Sequence, residues 1–218
     1  PDGTFTTLAR LWKFRRFNSP NDLVYDSKGN LYFTDPSYGL ELKEKDPARE
    51  LVFHGVFLLR PNGEVVLLTD KLSWPNGVAL SPDEKTLYVS VSDPHHPVIM
   101  AYEIKEDGTL GEGRVFFDAT PLLNTGPGLP DGLKTDALGN VFATGPGGVL
   151  VLSPEGKHLG TIRTGVATAN CAWGSDGSVL YMTADMYLCR IKTSTLGREF
   201  DRDGSWARKH RERAAGRK

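Results

Sequence analysis

An all-β propeller is the fold class that this sequence predicts. Three observations predict it. A strand-pair pattern returns four times, each of the first three copies is followed by two further strand-like segments, and 24 glycines and 14 prolines punctuate a 218-residue chain with few long runs of helix formers. With 39% hydrophobic and 24% charged residues the chain can bury a core, which excludes a wholly disordered protein.

The repeat reads Ser19-Pro-Asn-Asp-Leu-Val-Tyr-Asp26, Trp74-Pro-Asn-Gly-Val-Ala-Leu-Ser81, Leu129-Pro-Asp-Gly-Leu-Lys-Thr-Asp136 and, more loosely, Thr168-Ala-Asn-Cys-Ala-Trp173. The third residue of each copy, Asn21, Asn76, Asp131 and Asn170, is termed the anchor. A short apolar run and a turn follow it. A second apolar run then carries an aromatic residue 11 or 12 positions past the anchor (Tyr32, Tyr88, Phe142, Tyr181) and a small hydroxyl residue at 13 or 14 (Thr34, Ser90, Thr144, Thr183). The extra residue of the second copy sits in the turn Ser81-Pro-Asp-Glu-Lys85. Segments 55–59 and 65–68, 98–102 and 115–117, and 149–152 and 159–162 complete the first three copies around glycine turns, so four short strands make one unit. Anchor spacings of 55, 55 and 39 residues bracket the ~40 to 50 residues of a propeller blade.

Two insertions lengthen the first two units: 41–50, charged and holding Pro47, and 122–129, rich in Gly and Pro. Both read as surface connections near the site. The first sixteen residues read as the outermost strand of a preceding blade, so the expected content of residues 1–197 is about four blades plus one outer strand. Residues 198–218 have no repeat partner and carry eight Lys or Arg against four Asp or Glu, in a chain of net charge −1. They read as a basic tail, disordered or helical, with an arm for an acidic partner as the alternative.

The net charge excludes the electrostatic footprint of non-specific nucleic-acid binding. No run of about 18 apolar residues exists to span a membrane as a helix. The Met-less start, Pro1-Asp-Gly-Thr-Phe5, shows no leader and leaves both a cytoplasmic and a periplasmic or secreted location open. Cys171 and Cys189 lack CxxC spacing and read as free, buried thiols, a bridge within one blade being the alternative. No GxSxG elbow, Walker loop or GxGxxG is present, and His95-His96 between two prolines suits a loop.

In a propeller the innermost strands start near the central axis, so residues at their starts converge on one mouth of the channel. Pro before Asn21, Asn76 and Asp131 stiffens each approach. Two carboxamide oxygens and one carboxylate form a hard-oxygen set of low charge. That set suits one divalent metal, Ca²⁺ first, with Zn²⁺, Mg²⁺ or Mn²⁺ also possible. The competing reading is that such residues cap turns through the backbone. Asn170 lacks the proline and is either a turn residue or a pocket-lining group. Arg16, Tyr38 and Asn170 are candidate substrate contacts, Arg16 against an exposed edge-strand role. Asp22, next to an anchor on a strand, is expected to point away from it, and His54 to be a hydrogen-bonded structural histidine.

Ser19-Pro-Asn-Asp22 with Tyr32-Phe-Thr-Asp-Pro36, Trp74-Pro-Asn-Gly-Val-Ala-Leu-Ser-Pro-Asp83 with Leu87-Tyr-Val-Ser90, and Leu129-Pro-Asp-Gly132 with Asp136 resemble the gluconolactonase and regucalcin family, also called the senescence-marker-protein family, over residues 3–197. The resemblance implies a six-bladed β-propeller with one divalent metal held by a Glu, two Asn and an Asp. Asn21, Asn76 and Asp131 fall on the last three positions, and the Glu has no counterpart here. It therefore implies an amino-terminally truncated domain whose ring is open, and a protein that is a monomer when complete.

The activity implied is hydrolysis of sugar-derived or related lactones by metal-assisted attack of water. Asp131, the only ionisable anchor, is the candidate general base. Its other role is that of charge-bearing ligand, which weakens it as a base. A non-catalytic calcium-binding scaffold and an organophosphate ester hydrolase are the alternatives.

Overall fold

The computed structural model describes residues 2–215. A short hairpin, β1 (Leu11–Trp12) against β2 (Arg15–Arg16), comes first. Blade I holds β3 (Leu23–Tyr25), β4 (Leu31–Asp35), β5 (Gly55–Leu59) and β6 (Val65–Thr69). Blade II holds β7 (Pro75–Leu80), β8 (Thr86–Val91), β9 (Val98–Ile104) and β10 (Leu110–Asp118), and blade III holds β11 (Leu133–Thr135), β12 (Val141–Gly145), β13 (Gly148–Leu152) and β14 (His158–Arg163). Blade IV has three strands, β15 (Thr168–Gly174), β16 (Val179–Ala184) and β17 (Tyr187–Lys192). Every blade is an antiparallel meander in chain order, and neighbouring blades meet through their first strands. This is the expected propeller arrangement.

The repeat's aromatic residue shows what binds one blade to the next. Tyr32 is fully buried with Val78, Leu80 and Leu87 of blade II. Tyr88 packs with Leu133, Val141 and Leu150 of blade III, and Phe142 with Cys171, Trp173 and Leu180 of blade IV. Each such burial contributes roughly 1.5–3 kcal/mol. Tyr181 of blade IV meets no following blade among the described residues and is only half-buried.

The turn after the innermost strand also repeats. Asp26 and Asp136 each accept backbone N–H groups two and four residues on, together with the side-chain amide of Asn30 or Asn140. Gly29 and Gly139 supply the positive φ, 82° and 92°, that this turn requires.

Two expectations change at the chain's ends. Residues 2–10 carry no strand, because an outer strand needs a sheet to pair with and no sheet among the described residues takes them. Instead Trp12 packs edge-on to Phe53 and Phe57, and Phe17 to Phe33 and Phe57, so the hairpin region covers one face of blade I. At the other end, the tail read as disordered or helical carries α1 over Ser205–Ala215. The Asp201 carboxylate accepts the N–H groups of Trp206 and Ala207 at the positive end of the helix, and Ala207 is buried. Residues 216–218 of that tail lie outside the described residues. Both cysteines are free, Cys171 buried and Cys189 partly so.

Candidate functional site

Asn21, Asn76 and Asp131 line one cavity of about 790 Å³, which also takes in Tyr38, Ser92 and Thr183. Three different blades deliver the anchors: Asn21 just before β3, Asn76 within β7 and Asp131 just before β11. Their backbones approach closely because the residue after the anchor is glycine in blades II and III. A Cβ at Gly77 would collide with the Asp131 carbonyl, and one at Gly132 with the Asn170 carboxamide.

Hydroxyl groups tie each anchor to its neighbours. Thr34 accepts the Asp22 N–H at its Oγ1 (3.2 Å) and donates to the Asn76 carbonyl (2.6 Å). The Asn76 Nδ2 donates to Ser92 Oγ (2.9 Å), and Ser92 Oγ donates to the carbonyl of Pro130, next to Asp131 (2.5 Å). Asn76 is 7% exposed, and its Oδ1 is buried without a partner. An unpaired buried carbonyl oxygen costs about 1–3 kcal/mol, a cost that a cation or a donor on a substrate would relieve.

Burial pushes the Asp131 carboxyl up to about 6. Repulsion from Asp22 adds to the effect, while the Gly132 N–H and the Asn76 carboxamide oppose it. Asp22 points away from the cavity as expected, and its Oδ2 accepts the Val78 N–H at 3.0 Å.

Tyr38 forms part of the cavity wall, its ring stacked on Trp74 with centroids 5.2 Å apart and planes 13° apart. His54 lies against Trp74 at 4.7 Å. It is held by the Ser73 carbonyl at Nδ1 and by Ser37 Oγ at Nε2 (3.1 Å), and burial lowers its pKa, so it is structural as read from the sequence. The Tyr38 hydroxyl is buried without a partner, and burial raises its pKa, partly offset by the Ser92 and Asn76 side chains.

No group of three or more His, Cys, Asp or Glu able to hold a metal occurs among the described residues. A metal here would rest on Asn21, Asn76 and Asp131, a set of oxygens in which one is buried and unsatisfied. That chemistry fits a hard divalent cation.

The sequence matches the SMP-30/Gluconolactonase/LRE-like region over residues 1–185. The chain belongs to this family. It is 41% identical over 195 residues to a gluconolactonase of Zymomonas mobilis, an overlap that covers 85% of this chain and 53% of that one. A solved gluconolactonase structure from Xanthomonas campestris superimposes with a TM-score of 0.77 at 33% identity, covering 88% of this chain and 62% of that one. A calcium-binding regucalcin from Agrobacterium tumefaciens shares the fold at 21% identity, with a TM-score of 0.62, covering 82% and 62%. The chain thus spans about half the length of the Zymomonas relative.

Within this family fold, Arg16 does not reach the cavity. It sits exposed on β2, where its Nε meets Glu50 Oε1 at 2.5 Å and its backbone N–H meets Glu50 Oε2 at 2.6 Å. The hairpin's packing on blade I and the acidic insertion claim it. Asn170 does not line the cavity either: its Oδ1 accepts the Cys171 N–H at 2.8 Å. Thr168 and Ala169 beside it do line the wall.

Ser92 and Asp185 are lining residues that the repeat did not single out. A signal existed. Each lies two positions past the hydroxyl of its copy, Ser90 or Thr183, on the same side of the strand path, where the other two copies have Pro36 and Pro146.

Asp35, the last residue of β4, is fully buried. Its carboxylate accepts the N–H groups of Asn18 and Ser19, both at 2.8 Å, and so fixes the segment leading to Asn21. Burial nonetheless raises its pKa to about 6.

Proposed function

We propose that this chain carries part of the catalytic centre of a hydrolase that opens sugar-derived or related lactones with one bound divalent cation, Ca²⁺ first among the candidates. The observation that carries this reading is the convergence of Asn21, Asn76 and Asp131 from three blades on one cavity. The 41% identity to a gluconolactonase supports the reaction class.

Asn21, Asn76 and Asp131 would hold the cation. Bound there, it would polarise the ring carbonyl and make water a better nucleophile. Asp131 supplies the remaining acid–base chemistry. Its carboxyl, pushed up to about 6 by burial, is largely ionised at neutral pH and accepts the proton of the attacking water. As the bond from the acyl carbon to the ring oxygen breaks, the same group returns the proton to that oxygen, leaving a hydroxy acid. To the extent that Asp131 ligates the cation, its basicity falls, and the two roles compete.

Tyr38, held against Trp74, offers a buried hydroxyl without a protein partner to orient a polyhydroxylated ring. The cavity is lined by Asp131 and Asp185, without Lys or Arg among the described lining residues, which favours an uncharged lactone over an anionic one.

The test is pH-stat hydrolysis of an aldonolactone with and without Ca²⁺, Mg²⁺ or Zn²⁺, beside Asn76→Ala and Asp131→Ala. Metal-dependent turnover that both substitutions abolish is the expected result. A folded protein that binds no metal and turns over no faster than buffer would overturn the reading and leave a binding scaffold.

A further inference from the structure

We propose that the segment from Thr125 to Leu129 is a docked wall that selects the substrate of the site by size, admitting a lactone ring with small substituents and turning away one that carries a second sugar. Gly126 and Arg163 are the positioning residues that hold it. The inference rests on the lactone-hydrolase reading above and adds to it the element that limits its substrate.

The blades differ in one connection. Between the second and third strands, residues 36–54 of blade I supply Tyr38 to the cavity and residues 92–97 of blade II supply Ser92. In blade III that connection is only Pro146 and Gly147, because Gly145 already pairs with Gly148, and it supplies no lining residue among those described. The sector is filled from elsewhere. Residues 119–132, which join blade II to blade III, lie against this short turn and bring Gly128 and Leu129 to the cavity wall.

Backbone meets backbone where the wall rests on the turn. The Gly147 N–H donates to the Pro127 carbonyl at 2.9 Å. A Cβ at Gly126 would stand 2.7 Å from the Gly147 Cα, and one at Gly128, whose φ is 109°, would stand 2.7 Å from the Gly145 carbonyl oxygen. Neither approach leaves room for a side chain. At the outer end the exposed Arg163 of β14 donates to the Thr125 carbonyl at 3.2 Å, and Thr125 closes back on the Leu122 carbonyl through its N–H and its hydroxyl, both at 2.8 Å.

Contacts between main chains leave no rotamer to change. A substituent too large for the wall can therefore be admitted only by breaking the docking, whereas a wall of flexible side chains would repack around it.

The test uses the 218-residue chain with Ca²⁺ present, as wild type, Gly126→Ala, Arg163→Ala and the double variant. The substrates are gluconolactone and lactobionolactone, which is gluconolactone bearing a galactosyl group, so both are uncharged. Hydrogen exchange at the Gly147 amide, followed by NMR, reports the docking without any turnover.

Wild type should prefer gluconolactone by about tenfold or more in kcat/KM, with the Gly147 amide protected. The double variant should release that amide and raise kcat/KM for lactobionolactone by about threefold or more, through KM, while kcat for gluconolactone stays within about twofold of wild type. Each single variant should lie between.

A wild type without the preference overturns the proposal, as does a Gly147 amide that exchanges freely in it. So does a double variant that releases the amide yet keeps the wild-type preference. A double variant that leaves the amide protected shows that Gly126 and Arg163 do not hold the wall. An equal loss of kcat on both lactones would mean that the segment acts only through Asp131, which it precedes, and would also overturn the selection. Turnover of neither lactone by a folded wild type whose Gly147 amide is protected is a separate failure, that of the hydrolase reading on which the selection depends.

Discussion

Thr34 donates its hydroxyl across the boundary between blades I and II to the main-chain carbonyl of Asn76, at 2.6 Å. Its own carbonyl accepts the Asn21 N–H at 2.9 Å. One fully buried threonine thus holds two anchors in mutual register. Thr34→Val keeps the shape and strands the Asn76 carbonyl, so it should lower stability by about 1–3 kcal/mol in urea denaturation and weaken Ca²⁺ binding with it. The equivalent hydroxyl in blade II, Ser90 Oγ, is buried without a partner. Ser90→Ala should be neutral or mildly stabilising in the same assay, and equal losses at both positions would refute the bridging role of Thr34.

The glycines after the anchors make a second prediction. A methyl group at Gly77 would run into the Asp131 carbonyl and the Gly132 Cα, whereas one at Gly132 would meet only the Asn170 carboxamide among the nearest atoms. Gly77→Ala must displace the backbone of blade III and should cost about 1–3 kcal/mol or more as an overpacked contact. Gly132→Ala should be partly rescued by Asn170→Ala, which removes the three nearest atoms it strikes, while Gly77→Ala should not be. Melting temperatures of the three single and two double variants decide the point.

How much of this was readable beforehand depends on the range of the interaction. The strands around Tyr32, Tyr88 and Phe142 were legible, because period-2 alternation and glycine turns are local. The convergence of Asn21, Asn76 and Asp131 was legible because a repeated register implies a repeated place in the fold. The fate of Arg16 was not, since it depends on Glu50, 34 residues away, and on a hairpin that replaces the expected outer strand. Nor was the role of Asp35: the turn can be read from Asp35-Pro36-Ser37, but its complete burial depends on Asn18 and Ser19 folding over it.

A third prediction concerns pH. Burial raises both Asp35 and Asp131 to about 6, above the ~4 of an unfolded aspartate. A raised folded pKa means that the native state binds the proton more tightly, so these groups contribute stability at low pH and lose it as pH rises through about 6. Without metal, the two carboxyls should therefore lower stability between about pH 4 and 6, opposed in part by His54, whose lowered pKa makes its own contribution rise with pH up to about 6.5. Acidic groups with lowered values, such as Asp83 and Glu84, act mostly below that window. Asp131→Asn should flatten part of the slope, and saturating Ca²⁺ should reverse it for wild type by favouring the carboxylate. Denaturation midpoints in EDTA at about pH 4.5, 5.25 and 6, for wild type beside Asp131→Asn, test this, and an equal slope in the two proteins would contradict it.

The last prediction lies at the far end of the blades from the cavity. The segment after blade IV runs beneath blade III, where the Thr195 hydroxyl donates to Asp136 Oδ2 and Gly197 bridges to Asp136. It continues to Arg198, whose guanidinium reaches Glu84 Oε1 of blade II (3.3 Å) and the Tyr25 carbonyl of blade I (3.2 Å). Glu84 in turn accepts the Ser27 N–H and hydroxyl of blade I. Burial works against the Glu84 carboxylate, but Ser27 and Arg198 outweigh it and hold its pKa below the ordinary value. Residues of blades I and II and of the segment after blade IV therefore meet at one ion pair whose side chains are 15% and 24% exposed. Such a pair is better shielded than a surface bridge, and removing one partner strands the other. Arg198→Ala and Glu84→Ala should each destabilise the protein by about 1–3 kcal/mol, and the double variant should cost clearly less than their sum. Because the pair stands apart from the cavity, the Ca²⁺ affinity of each folded variant should match wild type. An additive double-mutant cycle would mean that the strap is held by Thr195 and Asp136 alone, with Arg198 contributing only as a solvated charge.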